Sequence, residues 1–186
     1  KVFGGILGRL QNEKDVEEMK QYEIPAFDLV IVDLYPFEET VKKTDDPAQI
    51  IEKIDIGGIS LIRAGAKNFN EVVIVPDSKY YLEFMELYKN QNGCTSIEDR
   101  KRFAKYAFAT SSHYDGMIYD WFAKDDDASD LNIHIDNRSE LRYGENPHQK
   151  AVFYGKLDDV FEKLHGKDLS YNNLLDLEAG LNLIRE

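Results

Sequence analysis

The chain has 186 residues, 42% of them hydrophobic, which is enough apolar material for the core of one domain or of two partial ones. Its formal net charge of −12 argues against the basic footprint that binding to DNA or to an anionic membrane needs, so we expect no nucleic acid and no membrane as partners. A single cysteine excludes an internal disulfide framework and gives no metal cluster, and no apolar run reaches the length of a membrane span, so a reducing, cytoplasmic setting is expected.

The first half of the chain alternates short apolar runs with helical patterns. Residues 27–32 form a nearly continuous apolar run that is rich in β-branched side chains, as in a strand that is buried on both faces, and residues 72–75 show the same pattern. Between these runs, residues 47–54 and 59–67 have the spacing of helices. Strand, helix and strand in this order predict a parallel sheet covered by helices, which is an α/β architecture.

The second half begins with two helical patterns, at residues 77–88 and 95–123. The aromatic side chains of the longer one recur at three- and four-residue intervals, which we interpret as core packing. Residues 124–130 are acidic and lack periodicity, so they predict a linker. Beyond it, the patterns predict two strands and a final helix, at residues 131–135, at 151–154 and from about residue 174.

The first segment that is suited to chemistry is the run VDLYPF, which follows the first predicted strand directly. Ligands of doubly wound sheets bind beyond the carboxyl ends of the strands, so a site is expected here. Tyr35 would donate a hydrogen bond to a ligand, and Pro36 would stiffen the loop. The alternative is a half-buried tyrosine in a turn, and position alone leaves both interpretations open.

The second segment is the run IDIGGISLIRAGAK, with Asp55 ahead of two glycines and Lys67 at its end. Gly57 and Gly58 let a backbone approach a ligand closely, and a helix that begins there directs free N–H groups toward an anion. Asp55 and Lys67 are more than two helical turns apart, so only tertiary structure would bring them together. If they meet, a carboxylate and an ammonium flank one site, which suits proton transfer and stabilisation of an oxyanion.

The basic residues of this segment have a second interpretation. Arg63 and Lys67 fall on one face of the predicted helix together with Ser60. Without a ligand, the same sequence is a glycine turn, an aspartate that caps a helix, and solvated basic side chains. The residues alone leave this alternative open.

The third segment is the run LRYGENPHQ, followed by LSYNN. An arginine beside a tyrosine in a Gly/Pro loop, here Arg142 and Tyr143, suits a phosphate clamp and stacking on a flat base. The alternative is an irregular surface loop, with Asn172 or Asn173 as a helix cap.

The runs VDLYPF, IDIGGISLIRAGAKN, LRYGENPHQ and LSYNN, in this order and spacing, resemble signature stretches of the bifunctional AICAR transformylase/IMP cyclohydrolase family. The opening KVFGGILGR is similar to a further segment of that family, so the resemblance covers nearly the whole chain. It implies a methylglyoxal-synthase-like α/β fold, a parallel sheet with flanking helices, for residues 1–125. It further implies a linker at 126–138 and the start of a cytidine-deaminase-like α/β transformylase domain at 139–186.

The function implied by the resemblance is the last two steps of de novo purine biosynthesis, in a cytoplasmic homodimer. A formyl group passes from the co-substrate 10-formyltetrahydrofolate to AICAR, and the product FAICAR then loses water and closes its ring to give IMP, with no cofactor or metal. The resemblance also indicates that residues 1–186 are an internal piece of the family's chain. We therefore expect this piece alone to have no transformylase activity and at most trace cyclohydrolase activity.

The resemblance assigns catalytic roles to Tyr35, Asp55 and Lys67. The aspartate and the lysine would manage proton transfers, and the tyrosine would position the substrate or assist its oxyanion. Substrate contacts are expected from a further set of positions: Gly57, Gly58, Arg63, Arg142, Tyr143 and Asn173.

Two positions depart from the family's pattern. Phe3 stands where the family usually has histidine, and Asp33 stands where it usually has asparagine. Asp33 adds negative charge near an anionic substrate.

Two other functions fit parts of the same sequence. One is a non-catalytic regulatory α/β domain that binds a phosphate or nucleotide at the glycine helix start. The other is a structural piece whose long helix at 95–123 mediates dimerisation.

Overall fold

The computed structural model describes residues 1–126, 133, 135 and 137–185. The chain divides into two compact units, Lys1–Asn132 and Ile133–Glu186. Most of the predicted strand at 131–135 and most of the predicted linker at 126–138 lie outside the described residues.

The first unit consists of helices around a small parallel sheet. Its elements in chain order are α1 (Val2–Leu7), α2 (Glu13–Gln21), β1 (Leu29–Ile31), α3 (Phe37–Lys43), α4 (Pro47–Ile51), α5 (Gly57–Lys67), β2 (Val73–Val75), α6 (Tyr81–Asn90) and α7 (Ile97–Ala123). A short 3-10 helix, Ser78–Tyr80, precedes α6. These elements confirm the predicted strand–helix–strand order, although β1, α4 and α6 differ from the predicted ranges by a few residues at one or both ends.

The sheet is parallel, as the sequence predicts, because β1 and β2 pair with Leu29 opposite Val73 and Ile31 opposite Val75. β2 is buried along its whole length. β1 corrects the expectation of burial on both faces, since Leu29 and Ile31 are exposed while Val30 packs against the core. Alternate side chains of a strand point to opposite sides, and only one side of β1 is covered by α5 and α7 in the described structure.

The core lies between α5, β2 and α7. Fully buried aromatic and apolar side chains of α7 supply its centre, among them Phe103 and Ala107, which confirms the interpretation of the helical stripe as core packing. A capping box fixes the start of this helix: the Ser96 hydroxyl accepts from the Asp99 amide, and the Asp99 carboxylate accepts from the Ser96 amide. The first residue of α7 is therefore set by its own sequence.

The second unit is an antiparallel hairpin followed by a helix. Its elements are β3 (Arg138–Leu141), β4 (Ala151–Tyr154), a 3-10 helix at Leu157–Asp159 and α8 (Tyr171–Arg185). β4 and α8 confirm predicted elements, whereas β3 was not predicted because its sequence, RSEL, lacks an apolar alternation. The chain as described is thus a mixed α/β protein. No helix in the described ranges has the length and apolar character needed to cross a membrane.

Candidate active site

The carboxylate of Asp55 lies at the start of α5 and accepts two backbone hydrogen bonds. The amide of Gly58 donates to Oδ1 at 2.5 Å, and the amide of Tyr35 donates to Oδ2 at 3.4 Å. Asp55 is only 9% exposed. One of the unpaired N–H groups of the helix start is thereby satisfied, and the loop after β1 is joined to the turn before α5.

The two glycines of the helix start differ in their surroundings. A Cβ atom on Gly58 would lie 2.8 Å from Oδ2 of Asp55, so only glycine lets the carboxylate approach this closely. A Cβ atom on Gly57 would meet nothing within 4 Å, so open space adjoins the first residue of the helix. The helix start thus has one glycine in contact with the acid and one beside open space.

Tyr35 places the VDLYPF loop next to Asp55 at the start of α5. Its backbone contacts Asp55, and its side chain is 57% exposed, with Nζ of Lys53 5.6 Å from the centre of its ring. The side chain of Phe37, two residues later, is almost fully buried. Phe37 anchors the loop, and the Tyr35 side chain extends outward from that anchor.

A cavity of about 350 Å³ opens beside this loop. Tyr35 and Tyr114 line it, and its walls carry several acidic side chains: Asp33, Glu38, Glu39 and Asp77. Hydrogen bonds from Lys42, and in lesser part from His113, lower the pKa of Glu38, so this carboxylate stays ionised at neutral pH. An acidic wall repels a phosphate, so this cavity suits an uncharged or cationic part of a ligand.

Lys67 lies at the other end of α5. It lines a separate cavity of about 600 Å³ together with Arg9, Asp15 and Asn68. α5 has 11 residues, which corresponds to about 16 Å at a rise of about 1.5 Å per residue. The described structure therefore brings Tyr35 and Asp55 together but does not bring Lys67 to them, and the catalytic role of Lys67 stays a prediction.

Arg63 has protein partners. Its Nη1 donates to the hydroxyl of Ser111 at 3.2 Å, and its guanidinium lies 5.8 Å from the ring centre of Phe108. Both partners are on α7, so Arg63 ties α5 to α7 in this structure.

In the second unit, Arg142 and Tyr143 lie together. The guanidinium carbon of Arg142 is 4.8 Å from the ring centre of Tyr143, a cation–π geometry. The Asn173 side-chain oxygen accepts from the amide and the hydroxyl of Ser170, at 3.1 Å and 2.9 Å, at the start of α8. Ser170, not Asn172 or Asn173, is the cap of α8, because its hydroxyl accepts from the backbone amide of Asn173 at 3.3 Å. Asn173 returns the contact from inside the helix, and its use in binding substrate stays a prediction.

The two departures from the family's pattern have different surroundings. Phe3 is 45% exposed on α1. Asp33 accepts a short hydrogen bond from the Tyr81 hydroxyl, and this bond raises the pKa of Tyr81 above its ordinary value. The added carboxylate at position 33 therefore has a phenol partner at the end of β1.

Sequence reasoning missed Tyr114. Its hydroxyl donates to the carbonyl oxygen of Lys53 at 2.7 Å and accepts from the amide of Asp55 at 2.8 Å. In the sequence, this tyrosine is one more aromatic residue in a helical stripe. No local signal marks its hydroxyl, because its partners lie 59 and 61 residues away.

The first unit has a small parallel sheet, a cavity beyond the carboxyl ends of its strands and a carboxylate at a glycine helix start. It therefore falls in the class of α/β folds whose cavities lie at the ends of parallel strands. Comparison with known proteins narrows that class. The chain belongs to the AICARFT/IMPCHase bienzyme family, whose model matches residues 65–186.

Relatives of the chain are named consistently. Over all 186 residues it is 52% identical to the bifunctional purine biosynthesis protein PurH of Bacteroides thetaiotaomicron. It is 43% identical, over its full length, to the protein of the same name from Microcystis aeruginosa. The chain spans only 36% and 38% of the lengths of these two relatives.

A solved structure, described as the crystal structure of ForH, is similar to this chain with a TM-score of 0.54 and 33% identity. The similarity covers 65% of this chain and 62% of that one. It agrees with the mixed α/β architecture described above.

Proposed function

We propose that the first unit carries part of an IMP cyclohydrolase site and the second unit part of an AICAR transformylase site. The observation that supports this most directly is the Asp55 carboxylate, held at a glycine helix start beside Tyr35 in a chain of the AICARFT/IMPCHase bienzyme family. The proposal includes the family folds, a methylglyoxal-synthase-like first domain and a cytidine-deaminase-like second one.

In the proposed cyclohydrolase step, the carboxamide nitrogen of FAICAR attacks the formyl carbon, and water leaves as the ring of IMP closes. Asp55 accepts the proton that the attacking nitrogen releases, and Tyr35 donates a hydrogen bond to the formyl oxygen. Asp55 then returns the proton to this oxygen, which gains its second hydrogen from the formamide N–H and leaves as water. The N–H of Gly57, which lies beside open space at the start of α5, adds a donor for the same oxygen. Because the wall beside Tyr35 is acidic, we place the ribonucleotide's phosphate away from this cavity.

In the proposed transformylase part, Arg142 and Tyr143 contact AICAR, with a further contact from the amide of Asn173. The co-substrate is 10-formyltetrahydrofolate, and the complete protein is a cytoplasmic homodimer. These assignments are supported by family membership and by the proximity of Arg142 to Tyr143.

The test is a chimera in which this chain replaces the aligned segment of the Bacteroides thetaiotaomicron relative. We expect the chimera to form IMP from FAICAR and to transfer formyl groups to AICAR. Asp55→Asn should lower the cyclohydrolase kcat by about 10²–10⁴-fold, the usual contribution of a general acid or base, and leave formyl transfer unchanged.

The matched control is Asp46→Asn. Asp46 also accepts a backbone amide at a helix start, from Ala48 at 3.0 Å on α4, but lies outside the proposed site. A folded chimera that closes no ring, or an Asp55→Asn variant as active as the control, would contradict the proposal. Binding of IMP without any turnover would favour the regulatory alternative.

Lys67→Ala in the same chimera tests the lysine separately. The family-based proposal is that its ammonium assists ring closure, although Lys67 lines a different cavity in the described structure. A loss of rate comparable with that of Asp55→Asn supports this role. An unchanged rate removes Lys67 from the site and leaves the proposal for Asp55 intact.

A further inference from the structure

Tyr114 contacts both loops that form the candidate active site. Its hydroxyl lies between two backbone groups that flank Ile54: it donates to the Lys53 carbonyl and accepts from the Asp55 amide. Its ring meets the ring of Phe37 edge to face, with 6.1 Å between the centroids. One side chain of α7 thus touches the turn that presents Asp55 and the loop that presents Tyr35.

These contacts form in a buried environment, where they are strong and costly to lose. Tyr114 is 8% exposed and packs in a cluster with Phe37 and Ile50. A buried amide or carbonyl that loses its hydrogen-bond partner is left unsatisfied away from water, which is unfavourable, so the turn has little freedom to move away from the hydroxyl.

Only a tyrosine suits this position. Phenylalanine has the ring but neither donor nor acceptor, and serine or threonine has the hydroxyl but is too short to reach the turn from the helix. Burial raises the pKa of Tyr114 above its ordinary value of 10.0, so the phenol keeps its proton, and its donation to Lys53, throughout the neutral range.

We infer that Tyr114 is a positioning residue for the cyclohydrolase step: it fixes the backbone at Asp55 so that the carboxylate faces Tyr35 and the start of α5. This inference rests on the proposed function of Asp55. Tyr114 acts through Asp55 and has no proton-transfer role of its own.

The kinetic test is a double-mutant cycle in the chimera with the Bacteroides thetaiotaomicron relative. Tyr114→Phe should lower kcat for ring closure by about 10-fold or more, the scale of a small misplacement of a reacting group, with KM changed by less than about twofold. The double variant Tyr114→Phe/Asp55→Asn should be no slower than Asp55→Asn alone, because both changes remove the same contribution.

Tyr106→Phe is the matched control. It removes a tyrosine hydroxyl from the same helix, one that contacts Glu83 at 3.4 Å and lies away from the proposed site. We expect no change in kcat for this variant. If Tyr106→Phe and Tyr114→Phe slow the reaction equally, or if the losses of Tyr114→Phe and Asp55→Asn multiply, the positioning role is wrong.

A second measurement needs no variant and therefore does not depend on the folding of Tyr114→Phe. In the unaltered 186-residue chain, hydrogen exchange should be at least about 10-fold slower at the Asp55 amide than at the amide of its 73% exposed neighbour Ile56. Equal exchange at the two amides would overturn the inference.

The two proposals fail in different ways. If Asp55→Asn lowers the cyclohydrolase rate and Tyr114→Phe does not, the positioning role is wrong and the proposed function stands. If Asp55→Asn leaves the rate unchanged, the proposed function fails and this inference fails with it.

Discussion

The side-chain amide of Asn68 donates a hydrogen bond of 2.8 Å to the backbone carbonyl of Ile6, sixty-two residues earlier in the chain. The same amide also donates to the carbonyl of Gly8 at 3.1 Å. Asn68 caps the carboxyl end of α5 and is 8% exposed, so these bonds join α1 to the end of α5 away from the water.

Replacing this amide should destabilise the first unit. Asn68→Ala leaves the two carbonyls without their donor, and we expect the free energy of unfolding to fall by about 1–3 kcal/mol. Urea denaturation followed by circular dichroism measures the change. Asn70→Ala, at an exposed position in the cavity that Lys67 and Asn68 also line, should change the free energy of unfolding by less than about 0.5 kcal/mol. If Asn68→Ala and Asn70→Ala lower the free energy of unfolding equally, the hydrogen bond to Ile6 does not stabilise the fold.

The capping box at the start of α7 gives a second prediction. Ser96→Ala removes the hydroxyl that accepts from the amide of Asp99 at 3.1 Å, and loss of such a cap costs about 1 kcal/mol. Ser112→Ala, at an exposed position inside the same helix, should be neutral within about 0.5 kcal/mol. Thermal unfolding of the two variants side by side measures the difference. A Ser96→Ala protein as stable as the control would show that α7 does not need the cap.

Two helical glycines should respond oppositely to alanine. A Cβ atom on Gly65 would lie 3.0 Å from Cβ of the fully buried Ile74. Overpacking of this kind destabilises a protein by about 1–3 kcal/mol, which exceeds the stabilisation that the higher helix propensity of alanine provides. A Cβ atom on Gly180 in α8 would meet nothing within 4 Å, so Gly180→Ala should stabilise its helix by up to about 1 kcal/mol. Denaturation of each variant against the parent chain tests both signs. Stabilisation by Gly65→Ala would mean that α5 moves freely relative to β2.

Acid should loosen the contact between Arg9 and Asp15. The Arg9 side chain donates to both carboxylate oxygens of Asp15, at 2.7 Å and 2.9 Å. Together with the Arg9 backbone amide, which donates to Oδ2 at 3.1 Å, these bonds lower the pKa of Asp15 from 3.8 to about 2. Because the folded pKa is the lower one, this pair stabilises the fold above the ordinary pKa of aspartate, and the stabilisation is lost as the pH falls toward 2.

An NMR titration of the Asp15 carboxyl carbon measures this directly, with an expected midpoint of about 2. In Arg9→Gln, the midpoint should rise toward the ordinary aspartate value of about 3.9 but stay below it, because the backbone amide of residue 9 still donates to Oδ2 of Asp15. A midpoint that stays at about 2 without the arginine would show that its side chain does not cause the shift.

The sequence indicated the parallel order of β1 and β2, the helices α5 and α7, and the proximity of Asp55 to the glycine helix start, because each of these depends on local patterns and caps. It did not indicate which side of β1 is covered, because all residues from Leu29 to Val32 are apolar and the exposed ones cannot be told from the covered ones. The contacts of the Tyr114 hydroxyl could not be predicted either, because its partners lie about sixty positions away in the sequence.

Lys67 shows the same limit in the site itself. Its distance along α5 from Asp55 follows from helix geometry, and the structure keeps that separation. The resemblance assigns both residues to one site, but Asp55 precedes the first residue of α5 and Lys67 is its last, so the helix itself holds them apart.

The parallel pairing of β1 with β2 has a consequence for how the chain folds. The strands pair only after the segment that carries α3, α4 and α5 has closed into a long loop. Closing such a loop lowers the entropy of the chain before any strand contact stabilises it. Local helices should therefore form early and the sheet late. Until that late step, the apolar run at Val73–Val75 remains open to other chains, so we expect aggregation during slow refolding at high protein concentration.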